Sequence, residues 1–307
     1  MNGFLVIDKP AGITSHDVVS RVRRILGTRK VGHTGTLDPF ATGVLPVAVN
    51  EGTKVIPFLD EGCKTYEALL HLGVSTDTLD MTGAILSETD PSRITREQFI
   101  SCLTEFRGAI SQIPPMYSAI KQNGQPLYKL ARQGMDVERK ARDVQIHSLE
   151  LLSFDPPHAA ICVVCSRGTY VRSLADDIGC KLGCGAALQK LRRTASGTFR
   201  IEESVTLVEL EASASEGRAE TLCLSPMATL AHLPDIPLTP EGVLGLRFGR
   251  SPSWDATTLE TPADCSVETL VRLTFCGTLA AVAMLVPGRG PYACIVLKRV
   301  LDAAHID

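Results

Sequence analysis

No run in this sequence is long and apolar enough to span a bilayer as a helix. The longest charge-free apolar stretch, Leu273 to Gly288, is broken by Gly277 and Pro287 and falls short of the roughly 20 residues a spanning helix needs. The opening residues, Met1 to Asp8, lack the basic flank of a secretory signal. Internal repeats and low-complexity tracts are absent, and metal-ligand spacing is missing as well. Cysteines stand at 63, 102, 162, 165, 180, 184, 223, 265, 276 and 294. Cys162 and Cys165 lie in an apolar, strand-like run, where residues three apart point to opposite faces. Cys180 and Cys184 sit at a Gly-rich helix end with no His nearby, and no second ligand pair has zinc spacing. Free thiols without a secretion signal point to a reducing cytosol. The expectation is a cytoplasmic protein with no membrane contact, no metal and no cofactor.

An excess of positive charge is also missing, since the formal net charge is −3. Its distribution matters more than its sum. Residues 1–200 are net basic and residues 201–307 net acidic. The basic residues cluster at Arg21, Arg23, Arg24, Arg29 and Lys30, at Lys121, Lys129, Arg132, Arg139, Lys140 and Arg142, and at Lys190, Arg192 and Arg193. Such patches suit a polyanion or simply form solvated helix faces; charge alone leaves both open.

What is present reads as a soluble globular chain, 44% apolar and 21% charged over 307 residues. Gly3–Asp8 reads as a strand, and Ser15 as the cap of a helix carrying Val18, Val19, Val22, Ile25 and Leu26 at helical spacing. Val44–Val49 is a buried strand. In Lys64–Leu72, alternation puts Tyr66, Ala68, Leu70 and Leu72 on one face. Residues 95–106 look helical. Residues 110–142, rich in Pro, Gly, Gln and basic residues with Tyr117 and Tyr128 interleaved, read as a long extended segment of the functional kind. A strand at Ala159–Cys165 and a helix near Arg172–Leu182 follow, with short helices at 207–212 and 225–230. Pro234–Pro237 reads as a linker to a small β-rich module. The irregular order favours an α+β fold.

The richest segment is Gly32-His33-Thr34-Gly35-Thr36-Leu37-Asp38-Pro39-Phe40-Ala41-Thr42-Gly43-Val44-Leu45-Pro46. Its glycines and prolines impose abrupt turns and close backbone approach, and Asp38 stands at its centre with His33 its one titratable neighbour. Asp-Pro is a common turn opening, so a plain turn is one reading of Asp38. A phosphate-cradling loop is another, although the Lys and the spacing of a P-loop are lacking and the dinucleotide fingerprint does not match.

This run resembles the catalytic motif of the TruB family of tRNA pseudouridine synthases, and further motifs follow in the family's order. Lys9-Pro10-Ala11-Gly12-Ile13-Thr14-Ser15 resembles the opening element and Lys64-Thr65-Tyr66 the second motif. Ile113-Pro114-Pro115-Met116-Tyr117-Ser118-Ala119 resembles the family's insertion, and Arg167-Gly168-Thr169-Tyr170-Val171-Arg172-Ser173 its third motif. Leu182–Ala186 and Leu191–Thr194 complete a co-linear series over about 200 residues. The resemblance implies a pseudouridine synthase fold: a mixed, largely antiparallel central sheet flanked by helices, with a small C-terminal β-rich PUA-like module. It divides the chain into a catalytic domain (1–234, with an RNA-gripping insertion at about 107–142) and a C-terminal domain (235–307).

The same resemblance implies isomerisation of a uridine in RNA, by breaking the N1–C1′ bond and rejoining the ring through C5. The reaction has no net redox change and no hydrolysis, hence needs no cofactor. Asp38 is then the nucleophile or base, Arg172 the guanidinium that keeps it ionised and oriented, and Tyr66 the residue that stacks on the flipped base and serves the final proton shift. Tyr170 and Leu191 line the uracil pocket, and His33 helps open the RNA loop. Gly32, Lys54 and Lys9 are counted as substrate-binding, with Lys9 and Pro10 also buttressing the loop. The implied partner is the tRNA T-arm, at the uridine in position 55 of tRNA numbering, with no guide RNA and a monomeric enzyme. The basic segments would grip phosphates. The acidic stretch 201–270 is expected to contact the acceptor side weakly.

Overall fold

The computed structural model describes residues 1–60, 62–118, 120–122, 124–135, 137–260, 267–288 and 292–301. Cys265 and Ala119 lie outside them, as do the side chains of Lys121 and Arg132. The chain opens with strand β1 (Gly3–Lys9), helix α1 (Ser15–Leu26) and strands β2 (Val31–His33) and β3 (Thr42–Val49). Helix α2 (Gly52–Val55) leads to β4 (Cys63–Leu72), and β5 (Val74–Thr76) pairs with β6 (Ile85–Glu88) as a separate ribbon. Helix α3 (Arg96–Glu105) and β7 (Gly108–Gln112) come next, then a small hairpin, β8 (Lys121–Gln122) and β9 (Gln125–Pro126), and helix α4 (Leu127–Arg132). Strands β10 (Arg142–Asp155) and β11 (His158–Ser166), helix α5 (Val171–Leu182), and strands β12 (Ala186–Ser196) and β13 (Phe199–Arg200) follow. Helices α6 (Leu207–Ser215) and α7 (Pro226–Thr229) lead into the C-terminal part. There β14 (Asp235–Pro237), β15 (Thr269–Phe275), β16 (Thr278–Val286) and β17 (Cys294–Val300) form a second, four-stranded sheet, with helix α8 (Pro240–Arg247) between β14 and β15 in sequence.

The main sheet runs β1-β3-β12-β4-β11-β10-β7, with β2 also on β3 and β13 on β12. Every pairing is antiparallel except β3 with β12, so the architecture is α+β as the sequence implied. Tyr66, Ala68, Leu70 and Leu72 do share a buried face of β4. They meet Val18 and Val22 of α1, Phe99 and Leu103 of α3, Leu174 and Ile178 of α5, and Leu210 of α6 in one core.

Strand β3 is apolar on both faces because both are covered. Leu45, Val47 and Val49 belong to the helix-side core. Val44 and Ala48 face the other way, with Phe4 and Val6, against Leu279, Val282 and Leu301 of the C-terminal part. A continuous apolar run instead of alternation is the pattern expected of a strand buried on two sides. The C-terminal sheet is thus docked on the main sheet through a shared core.

Four local expectations are corrected. The N-cap of α1 is Thr14, in a capping box with Asp17, whereas Ser15 is buried and serves the loop described below. Residues 110–142 are not extended throughout: β7 is an edge strand of the main sheet, zipped to the start of β10, and residues 127–132 are helical. Residues 235–237 are no linker but strand β14, parallel to β15. Residues 186–196, without an expected element, form the interior strand β12 between β3 and β4; two register shifts against β4 break the alternation that would reveal it.

The parallel join between β3 and β12 depends on Gly43. Its φ is +100°, and a Cβ there would sit 2.2 Å from the carbonyl oxygen and 2.8 Å from the amide nitrogen of Arg193. Gly27, at the end of α1, also has positive φ, yet a Cβ there meets nothing within 4 Å. In urea titrations Gly27→Ala is expected to cost about 1 kcal/mol, the left-handed penalty alone. Gly43→Ala is expected to cost about 3 kcal/mol or more, since backbone must move. Equal costs for the two would contradict this account of the join.

Candidate active site

The loop from Thr34 to Ala41, between β2 and β3, is tied down on both sides of Asp38. Before it, the Ser15 hydroxyl donates to the Leu37 carbonyl (3.1 Å) and accepts from the Leu37 amide (2.9 Å). After it, the Lys9 ammonium donates to the carbonyls of Pro39 (3.1 Å) and Ala41 (2.7 Å), and also to Pro10 (2.9 Å). The Gly12 amide donates to the Pro39 carbonyl at 2.8 Å. Asp38 does open a turn, since the Ala41 amide donates to its carbonyl (3.1 Å). The turn reading therefore holds, and the turn leaves the Asp38 side chain on the lining of a cleft.

That carboxylate meets Arg172 from the first turn of α5. Arg172 Nε lies 2.9 Å from Asp38 Oδ2 and Nη2 lies 3.1 Å from Oδ1, a two-point guanidinium–carboxylate pair. The remaining donors are also used. Nη1 donates to the Thr78 carbonyl (2.9 Å) and lies 3.5 Å from Asp80 Oδ2, and Nη2 donates to the Tyr117 carbonyl (2.8 Å). Arg172 is only 4% exposed. A cation in the first turn of a helix opposes the helix dipole; two carboxylates and two carbonyls offset that here. Asp80 is itself held by the hydroxyls of Thr78 and Thr82 and by the Thr82 amide.

A cleft of about 320 Å³ opens above this pair, lined by Thr36, Leu37, Asp38, Lys64, Tyr66, Ser118, Ile120, Gly168, Thr169, Tyr170, Val171, Arg172 and Leu191. It is flat-sided and aromatic at Tyr66 and Tyr170, apolar at Leu191, and anionic at one point. Asp38 is 32% exposed to it. Burial raises the Asp38 carboxyl above its usual value; Arg172 pulls it down, Asp80 pushes it up, and Lys9 pulls it down. The folded protein therefore holds this proton more tightly than the unfolded chain does. Folding stability falls as pH rises from the ordinary carboxylate value through the raised one. Burial likewise raises the Tyr66 and Tyr170 phenols, opposed by Arg193 and Ser118 respectively.

Of the residues named from the sequence, Asp38, Tyr66, Arg172, Tyr170 and Leu191 are brought together here. Four are not. Lys9 has no exposed surface, so it buttresses the loop and cannot touch a substrate; desolvation lowers its ammonium to about 8. Gly32 and His33 lie on β2, paired with Ala48 and Val47, outside the cleft lining. Lys54 is on α2, ion-paired with Glu51 (2.7 Å) and 3.5 Å from the Val300 carbonyl, also away from the cleft. Of the basic segments, Arg193 is fully buried and Arg192 forms a two-point pair with Asp8 (2.8 and 3.1 Å). Neither is a free phosphate grip. The sequence reading missed Asp80, Lys64 as a lining residue, and the Thr78 and Tyr117 carbonyls. The cluster Asp77-Thr78-Leu79-Asp80-Met81-Thr82-Gly83 was a visible loop signal, but nothing in it pointed to Arg172.

Among the described residues, no group of His, Cys, Asp and Glu could hold a metal ion, nine cysteines are free, and no helix is long and apolar enough to cross a membrane.

An anion held by a guanidinium under an aromatic pocket, on a largely antiparallel sheet, matches a known group of RNA-modifying enzymes. Residues 23–171 match the TruB family pseudouridylate synthase N-terminal domain, and residues 172–231 the tRNA pseudouridylate synthase B C-terminal domain. The chain is 53% identical over 283 residues to the tRNA pseudouridine synthase B of Geotalea uraniireducens, covering 92% of this chain and 91% of that protein. It is 48% identical to that of Geobacter sulfurreducens, covering 92% and 93%. Among solved structures, a chain of a Cbf5-Nop10-Gar1 complex superposes with a TM-score of 0.73 at 27% identity, covering 97% of this chain and 84% of that one. The chain belongs to the TruB family of pseudouridylate synthases, and its fold is the pseudouridine synthase fold.

Lys9→Met takes the ammonium away from the Pro10, Pro39 and Ala41 carbonyls, of which Pro39 keeps the Gly12 amide. The expected loss of stability is about 1–3 kcal/mol, read by urea unfolding near neutral pH. An unchanged midpoint would mean that the ammonium does not hold the loop.

Proposed function

We propose that this protein converts one uridine of the tRNA T-loop, position 55 in tRNA numbering, to pseudouridine, acting alone and without a guide RNA. The observation that carries the reading is the two-point Arg172–Asp38 pair at the floor of a cleft walled by Tyr66, Tyr170 and Leu191. Relatives that carry the name tRNA pseudouridine synthase B at 53% and 48% identity support tRNA as the substrate. In this reading Asp38 attacks the flipped nucleotide, Arg172 keeps it ionised and aimed, and Tyr66 stacks on the uracil and handles the proton that leaves C5. Tyr170 and Leu191 hold the ring. His33 and Lys54, lying outside the cleft, would meet RNA beyond the flipped nucleotide. Extruding the base costs a few kcal/mol, and stacking against Tyr66 offsets part of that.

The insertion between β7 and β10 supports a T-arm substrate. Its first arm reaches the cleft through Ser118 and Ile120, and the Tyr117 carbonyl binds Arg172, so a bound RNA loop would be covered next to the chemistry. The C-terminal sheet is read as a PUA-like module of residues 235–307 with weak acceptor-side contact. A monomeric, cytoplasmic enzyme without a cofactor completes the reading. A non-catalytic RNA-binding protein on the same scaffold is the competing one, but such a protein has no need of Asp38, Tyr66 and Arg172 in one cleft.

The test is incubation of the purified protein with an unmodified tRNA transcript and no guide. Pseudouridine at a single T-loop uridine is expected, with Asp38→Asn slowing single turnover by about 1,000-fold or more while tRNA binding persists. Binding without product in the wild type would favour the scaffold reading, and product only with an added guide would favour a guide-dependent enzyme.

A further inference from the structure

Arg193 is the largest side chain among those with no exposed surface, and nothing in the reaction as described uses it. Burying a guanidinium costs several kcal/mol unless its donors are satisfied. Its bonds go to backbone: Nε donates to the Val44 carbonyl (2.7 Å) and Nη2 to the Gly35 carbonyl (2.9 Å). Nη1 is buried without a hydrogen bond to any described residue. It lies so close to Gly35 that a Cβ there would be 3.3 Å from it.

Strand register explains where this guanidinium points. Arg193 stands directly opposite Tyr66 in the β12–β4 pairing, so the two side chains share a face. Arg193 therefore binds β3 through Val44 and the Asp38 loop through Gly35, and stands across the sheet from Tyr66. We propose that Arg193 is a positioning residue that orients and polarises the Tyr66 hydroxyl for proton transfer and keeps it in register with the Asp38 loop. The inference rests on the function proposed above. In that reaction the ring loses one proton at C5 and gains one at N1. A single hydroxyl that donates its own proton to N1 and accepts the one from C5 balances the step.

The groups facing Tyr66 are Arg193 from β12, Cys165 from β11 and Asp38 from the loop, with Lys64 of β4 lining the same cleft. Burial, Cys165 and Asp38 all make the phenol harder to ionise, and Arg193 alone among the causes acts the other way. A proton-shuttling phenol in such surroundings needs a cation fixed against it.

The test has two readouts. The first is a double-mutant cycle on single-turnover pseudouridine formation in a tRNA transcript. Arg193→Lys is expected to slow the wild type by about tenfold or more, with tRNA affinity changed by less than about twofold, and Arg193→Met to slow it further. In a Tyr66→Phe background, Arg193→Lys should cost less than about twofold, because the group it positions is gone. Equal losses in both backgrounds would mean a merely structural arginine and overturn the proposal.

The second readout needs no substrate. With tyrosine labelled at Cζ, the Tyr66 resonance, identified as the one absent from Tyr66→Phe, should move in Arg193→Lys while those of the other four tyrosines stay. A Tyr66 resonance that does not move refutes the contact even if the variant is slow. A wild type that forms no pseudouridine would refute the function while leaving this measurement intact.

Discussion

One guanidinium holds four parts of the chain in place. Arg172 enters from α5 and grips Asp38, which lies 134 positions earlier in sequence. It also binds the Thr78 and Tyr117 carbonyls, so the β2–β3 loop, the β5–β6 loop, the insertion and the helix converge on it. A carboxylate in a partly closed cleft tends to take up a proton, because burial penalises its charge. One directed hydrogen bond from Nη2 and the close approach of Nε oppose that. Asp80, braced by Thr78 and Thr82, keeps the fork from rotating. A lysine could supply the charge but not the plane.

The scaffold serves this pair from below. Lys9 and Ser15, from β1 and the start of α1, hold the loop on either side of Asp38. Strand β12 carries Leu191 on the cleft wall and Arg193 beneath it, and joins β3 to β4 where β3 leaves the loop. The C-terminal sheet covers the opposite face of β1 and β3, so the strand that anchors the loop is buried on both sides. Rigidity at the site thus has a source in ordinary packing: apolar strands covered twice, and Gly43 where the backbones of β3 and β12 nearly touch.

Much of this was legible in the sequence, for identifiable reasons. The helix α1 and strand β4 follow from apolar periodicity, and β1 and β11 from short apolar runs. Asp38, Tyr66, Arg172, Tyr170 and Leu191 came from the motif resemblance, since no local rule relates positions so far apart. Asp80 was missed because its partner is distant in sequence and its loop reads as a plain turn. Arg193 was misassigned because an arginine in a basic run is normally solvated; its burial follows from the register of β12, which bulges conceal. Lys9 was given two roles, and only the buttressing one agrees with its lack of exposed surface. Lys54 and His33 lie outside the cleft for the same kind of reason: proximity in sequence to a motif does not fix which way a strand or short helix faces.

The site depends on Arg172 offsetting, through its close contacts, the burial that pushes the partly exposed Asp38 carboxyl upward. The most direct test of that dependence is a pH titration of the Asp38 carboxyl carbon by NMR in the wild type and in Arg172→Lys. A wild-type midpoint above the ordinary aspartate value of 3.8 is expected, and a higher one in the variant, where burial is opposed by a point charge without the fork. A midpoint at or below the ordinary value that is indifferent to the substitution would contradict it.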